Sequence, residues 1–396
     1  MKIIGLETIP VSVPYSQVER SARVQRGGVS DVVVKLTTDS GLVGWGESCS
    51  GADTASIEMA VKAMAPFVLG RDPWDTEAIA RDVYRTGLWD YRLQTGNFAY
   101  AGIDIALWDL CGKACGQPLY RLFGGAMREA VDYFFYLAAG TPDEVAAQVL
   151  LGVRRGYRHY YLKVGVDAAA EERMLAAIRS TAGPDAMIRI DANEAWPLPM
   201  AVRLLTRWHE AFDIDFAEAP VRAAPLSLMQ DLRKRVPVAL CANEGLSGED
   251  AVVRMIDSGA ADVLCMSSYW VGTLRRFHTL CSLANLKGIG VCKHTHGEFG
   301  IAAAAAHHML LTLPNATEGA QQTASVMEGD LLAEPLPIAT GPRWGLIDKP
   351  GLGIEVDEKR LARYAEAYRR EGQFLPWSAW DGTPEFQPRQ PLGETA

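Results

Sequence analysis

The stretch MIRIDANEAW, residues 187–196, starts like a buried strand and then turns polar. Met187, Ile188 and Ile190 alternate loosely with Arg189, and Asp191, Asn193 and Glu194 follow at once. A strand that only filled a core would stop at turn residues. This one stops at two carboxylates and an amide, so its end is read as a place where something is bound.

Working outward, the chain shows a β/α rhythm from about residue 130. Strand candidates are VDYFFYLA (131–138), HYYLKVG (159–165), MIRIDAN (187–193), FDIDFAE (212–218), VPVALCANE (236–244), ADVLCM (261–266), GIGVCKH (288–294) and a weak eighth, NATEGA (315–320). Amphipathic helical runs lie between them. Thr141-Pro142-Asp143-Glu144 reads as an N-cap, a Pro in the first turn and two acids at the dipole's positive end. Ser247-Gly248-Glu249-Asp250 opens another helix. Eight such units over roughly 220 residues predict an α/β fold, a (β/α)7–8 TIM-type barrel, rather than a doubly wound sheet. The glycine fingerprint that a dinucleotide-binding sheet needs is absent.

Before residue 125 the pattern changes. IIGLETIPVSV and SDVVVKLTTDSGLVGWGES read as antiparallel strands, with Asp39-Ser40-Gly41 as a turn, and helices follow. The expected domains are an α+β capping domain (1–125), the barrel (126–355) and a C-terminal segment (356–396) that packs back on the cap. A helix is expected over 357–371.

Composition narrows the function. The 396 residues carry a net charge of −9, which argues against a nucleic-acid or anionic-membrane surface as partner. The seven scattered cysteines read as reduced core residues. No apolar run is long enough for a signal peptide or a membrane span, so a cytoplasmic protein is expected.

A barrel of this kind carries its active site at the C-terminal ends of the strands. Those ends bear Lys163, Asp191 with Asn193, Glu218, Glu244, Ser267 and His294. The successive steps, 28, 27, 26, 23 and 27 residues, are each about one β/α unit, so the six positions share one ring. Asp191, Glu218 and Glu244 then converge as three hard oxygen donors, a set that suits Mg²⁺. Strand alternation puts Tyr161 and Lys163 on the same inward face. A lysine beside a divalent cation has a lowered pKa and can act as a base. His294 faces it from another strand.

These residues resemble the enolase superfamily, within it the mandelate racemase/muconate-lactonizing group. AGIDIALWDLCGKACGQPLYRLFGG (101–125) resembles the signature at the end of that group's cap. LKVG, DAN, AEAP and ANEG resemble its lysine and metal-ligand motifs, and KPGLGIEVD (349–357) its terminal barrel motif. The resemblance implies Mg²⁺-assisted removal of the proton beside a substrate carboxylate, giving an enolate. It implies that Glu318 hydrogen-bonds the substrate carboxylate, that Asn193 touches substrate or ligands, and that the protein is a symmetric homo-oligomer. It also implies a substrate-reading cap loop. Here that loop is PYSQVERSARVQRGGVSD, which offers Tyr15, Arg20, Arg23 and Arg26, with Gly27-Gly28 as a hinge. SCSGAD (48–53) is read as a second loop, and His296 and Glu298 as further substrate contacts.

Two departures from the family pattern matter. Tyr161 stands where a first lysine is common, and Ser267 stands where an Asp or Lys is common. His294 therefore lacks an anionic partner, which disfavours a two-base racemase. The first reading is dehydration of an acid sugar or related hydroxy acid: Lys163 takes the α-proton, and His294 or Lys163 protonates the leaving hydroxyl. The alternatives are a racemase, epimerase or cycloisomerase of the same superfamily, and a catalytically weak metabolite-binding regulator.

Overall fold

The computed structural model describes residues 1–49, 53–86 and 94–375, and the backbone of 377–378 and 389–390. The N-terminal part opens with three antiparallel strands, β1 (Ile3–Arg20), β2 (Val24–Thr38) and β3 (Val43–Ser48). Gly41, at φ +83°, makes the turn between the last two. Helices α1 (Thr54–Val68), α2 (Thr76–Thr86), α3 (Gln94–Cys115) and the single turn α4 (Leu119–Leu122) follow. Two glycines inside β3 have a packing reason. A Cβ on Gly46 would lie 1.8 Å from the Gly102 carbonyl of α3, so only glycine lets the helix approach this closely.

The barrel runs through β5 (Phe135–Leu137), β6 (His159–Lys163), β7 (Met187–Asp191), β8 (Ile214–Glu218), β9 (Ala239–Ala242), β10 (Val263–Met266) and β11 (Gly290–Lys293), all parallel. Helices α5 (Pro142–Arg154), α6 (Ala168–Ala182), α7 (Leu198–Phe212), α8 (Ser227–Arg233), α9 (Glu249–Ser258), α10 (Ser268–Val271), α11 (Leu274–Leu286) and α12 (Gly300–Thr312) alternate with them. Thr141 and Glu144 form the reciprocal capping box at the start of α5. At α9 the cap position is Gly248, and Ser247 plays no part in it.

The expected eighth strand is not a strand. Residues 315–321 close the ring by single hydrogen bonds instead. The Asn315 carbonyl accepts from Val291, Gln321 N–H donates to Lys293, and Ala320 both donates to Asp132 and accepts from Phe134. VDYFFYLA also splits. Its first residues form β4 (Ala130–Asp132), which pairs antiparallel with β12 (Arg343–Gly345), and only β5 joins the barrel.

Helix α13 (Glu358–Glu371), capped by Asp357, lies against β1. Beyond it, the Gly372 carbonyl accepts from Ser12 Oγ (3.0 Å), and Gln373 Oε1 accepts from Thr54 N–H (2.7 Å). The N-terminal part is also bolted to the barrel. Both oxygens of the buried Glu47 accept from the first turn of α12, from Phe299 (2.7 Å) and Ala302 (2.9 Å). Asp104 Oδ2 accepts from Leu274 N–H (2.7 Å) at the start of α11. All seven cysteines are free, but Cys115 is exposed at the end of α3 rather than in the core. Among the described residues no helix is long and apolar enough to cross a membrane.

Candidate active site

Register decides the site. Lys163 is the Cα partner of Asp191, and Asp191 that of Glu218, across two successive parallel pairings. In-register neighbours on parallel strands point to the same face, so the three side chains rise side by side into the barrel mouth. The backbone then turns sharply. Asn193, Glu194 and Ala219 sit in the left-handed region at φ 44°, 63° and 40°, an unfavourable conformation for non-glycine residues. The turn brings Asn193 N–H back to Asp191 Oδ1 (2.8 Å) and aims its amide at Glu244 Oε1 (3.0 Å).

A cavity of about 410 Å³ opens above these groups. Lys163 Nζ donates to Asp191 Oδ2 (2.6 Å) and Asn193 Oδ1 (3.2 Å), and Tyr161 Oη donates to the same Asp191 oxygen (2.7 Å). The Tyr161 ring stacks on Phe134, with centroids 4.4 Å apart. Gln321 donates to both oxygens of Glu218 (2.9 and 3.1 Å). Sequence reading missed Gln321 because the closing segment lacks strand periodicity. His294 lines another side of the cavity, its ring tilted against Trp270 with centroids 4.5 Å apart and in contact with Tyr269 through Nδ1 (3.2 Å).

The electrostatics are those of crowded acids. Burial raises the pKa of Glu218 well above its usual range, and the charge of Asp191 adds to it. Burial and Asp191 likewise push Glu244 up to about 7. Glu244 Oε2 is buried with no hydrogen-bond partner among the described residues. Three carboxylates from successive strands, one with an orphaned oxygen, offer donors of the type a hard divalent cation takes, although their oxygens are not all within 4.8 Å of one another. For Lys163, burial disfavours the ammonium, but the carboxylates of Asp191, Glu19 and Glu218 outweigh it and hold the pKa above the ordinary lysine value. The expected lowering depends on a cation drawing off those same carboxylates. Burial, His296 and Lys163 keep His294 well below the ordinary histidine value, and burial and Arg26 take His296 down to about 3.

Several expected substrate contacts fall elsewhere. Tyr15, Tyr161, Asn193 and His296 line the cavity, but Arg20, Ser267 and Glu318 do not. The inward residues of β1 are Tyr15, Gln17 and Glu19, so alternation turns Arg20 to solvent. Ser267 Oγ is used on the His294 carbonyl. Glu318 pairs with the fully buried Arg189 (2.9 Å), which also holds Asp215 (2.8 Å). This network runs from the buried Arg189 to partly exposed carboxylates at the start of the strands, where Glu318 Oε1 is close to Gly290 of β11. Glu298 is also removed from the cavity, as the partner of the buried Lys293. Arg23 and Arg26 do line it, from the hairpin end. Arg26 donates to the His296 carbonyl (3.0 Å), and Arg23 pairs with Glu194 at the end of β7. Gly28 is not a hinge: it pairs with Pro14 inside the sheet, and a Cβ there would meet Phe374 at 2.6 Å. Residues 50–52 of SCSGAD lie outside the described residues.

Family models match almost the whole length, "Mandelate racemase / muconate lactonizing enzyme, N-terminal domain" over residues 7–124 and "Enolase C-terminal domain-like" over 144–360. The chain belongs to the enolase superfamily. Its group is that of mandelate racemase and muconate-lactonizing enzyme. It is 28% identical to an L-Ala-D/L-Glu epimerase of Clostridium acetobutylicum over 365 residues, 89% of this chain and 97% of that one. It is 30% identical to a cis-3-hydroxy-L-proline dehydratase of Roseibium aggregatum over 380 residues, 92% of this chain and all of that one. A crystal structure of an enolase from Thermobispora bispora, complexed with magnesium and formate, superposes with a TM-score of 0.85 at 25% identity, covering 93% of this chain and 94% of that one. Epimerases, cycloisomerases and dehydratases all occur among the relatives of this superfamily member, so it is an enzyme of the lyase or isomerase class.

Proposed function

We propose that the protein dehydrates a polar hydroxy acid, of the acid-sugar type, by Mg²⁺-dependent removal of the proton beside its carboxylate. Asp191, Glu218 and Glu244 would hold the ion. When bound it would supply positive charge for the substrate carboxylate and for the negative charge that develops there. Lys163 takes the α-proton. The ammonium so formed returns that proton to the β-hydroxyl on the same face, which leaves as water, and the enol relaxes to a 2-keto acid. His294 faces the substrate from the other side.

The observation that carries this reading is the partner of His294. Its Nδ1 meets the Tyr269 hydroxyl, not a carboxylate, so it lacks the anion that would make it a second base. The lining supports a polyol acid. Gln17, Glu19, Arg23, Arg26 and Gln322 give the cavity further hydrogen-bonding groups. An isomerase is the second reading, favoured by His294 lining the same cavity as Lys163.

The test is a panel of mono- and diacid sugars with Mg²⁺, assayed for 2-keto acid with semicarbazide, with Lys163→Ala as blank. Product from one or two stereoisomers, absent in the variant, supports dehydration. Absence of keto acid from every member, with solvent deuterium entering the substrate, moves the reaction to the isomerase class.

A further inference from the structure

Tyr269 sits behind His294 and has one proton to place. Its oxygen accepts from the His296 main-chain N–H (3.0 Å) and lies 3.2 Å from His294 Nδ1. Tyr269 is 3% exposed, so no solvent is at hand to take the proton. Nδ1 meets that hydroxyl with hydrogen-bond geometry, and Ser267 Oγ is the other side-chain group beside it. Were Nδ1 itself protonated, two donors would face each other, or the hydroxyl hydrogen would have to turn to a poorly placed acceptor. Ser267 gives its own proton to the His294 carbonyl and so offers Tyr269 only a lone pair, without the hydrogen-bond geometry that Nδ1 has.

We infer that Tyr269 is a positioning residue that fixes His294 as the neutral tautomer with its proton on Nε2, so that the imidazole presents an N–H rather than a lone pair to the cavity. The inference rests on the proposed place of His294 at the reacting centre and extends it. The groups around the ring oppose a positive charge on it: Arg26, Lys163 and Lys293 approach from three elements, and His296 packs edge-on at 4.5 Å. An imidazole so held donates a hydrogen bond to a substrate oxygen and takes no proton at Nε2. The two sides of the site are then unequal. Proton removal belongs to Lys163, and only a stereoisomer whose α-hydrogen faces Lys163 loses it.

The test is a long-range ¹H–¹⁵N correlation spectrum of the full-length protein labelled at histidine, with His294 assigned by comparison with His294→Gln. The expected result at neutral pH is a pyrrole-type Nε2 and a pyridine-type Nδ1. Tyr269→Phe, which keeps the ring and removes the proton, should replace this pattern with a tautomer mixture. An Nδ1-protonated or imidazolium pattern in the wild type overturns the inference, as does an unchanged pattern in Tyr269→Phe. If that variant fails to fold, the wild-type spectrum still decides. No substrate enters this experiment, so its failure is distinct from failure of the dehydratase assay. Once a substrate is found, Tyr269→Phe should lower kcat by about tenfold or more with KM within about twofold, the split expected for loss of a catalytic hydrogen bond.

Discussion

Lys163 Nζ and Asp191 Oδ2 lie 2.6 Å apart, on side chains that are Cα partners across one parallel pairing. The base candidate and a metal-ligand candidate therefore share one oxygen, and whatever draws Asp191 away changes the proton affinity of Lys163.

Lys163→Ala removes the only candidate base on its side of the cavity among the described residues. Exchange of the substrate α-proton in D₂O should fall by about a thousandfold or more, with the circular dichroism spectrum unchanged. Exchange at the wild-type rate would assign the base elsewhere.

Glu244→Gln keeps the acceptor for Asn193 and removes one charge from three crowded carboxylates. The variant should melt higher than the wild type without Mg²⁺ and lose the Mg²⁺-dependent rise. For the wild type that rise corresponds to about 2.7 kcal/mol at a hundred times the dissociation constant. Thermal unfolding with and without Mg²⁺ reads both effects.

Asp104 couples the cap helix α3 to α11, and burial raises its pKa to about 7. Its folded pKa lies above the unfolded one, so stability is full below about pH 4 and is lost as pH rises through 7. Asp104→Asn should flatten this decline and be more stable than the wild type at pH 8, by roughly 4 kcal/mol at most. Urea unfolding at pH 5 and pH 8 measures it.

Arg189→Met leaves Asp215 and Glu318 without their shared cation inside the barrel. Unfolding free energy should drop by about 1–2 kcal/mol, less than for a fully buried pair because both carboxylates are partly exposed. The fall should be smaller in Arg189→Met/Glu318→Gln, because one orphaned charge is gone.

Arg23→Ala unlatches the β1–β2 hairpin from Glu194. Arg23 is about half exposed, and the pair is worth about 1 kcal/mol or less. Amide exchange over residues 15–28 should speed up by no more than about fivefold, while β6–β8 keep wild-type protection.

The alternation of apolar runs with capped helices, and the steps of about one β/α unit from Lys163 to His294, were legible because hydrophobic period and strand-end chemistry are local properties. They sufficed for the barrel and for the ring of Lys163, Asp191, Glu218, Glu244 and His294. Alternation within β1 would also have separated Tyr15 from Arg20, had the hairpin been read as a strand through residue 20. Glu318, Gln321 and Tyr269 could not be sorted this way. Glu318 and Gln321 lie in the irregular segment that closes the ring, where no period assigns a face. Tyr269 acts through a neighbour contributed by another strand. Hydrogen-bond partners across 25 to 160 residues, such as Tyr269 with His294 or Gln321 with Tyr161, are set by how strands and loops close on one another. The sequence by itself determined which chemistry stands at the strand ends. Only the tertiary structure decided which side chains share protons there, because a hydrogen bond depends on distances of tenths of an ångström that no spacing along the chain encodes.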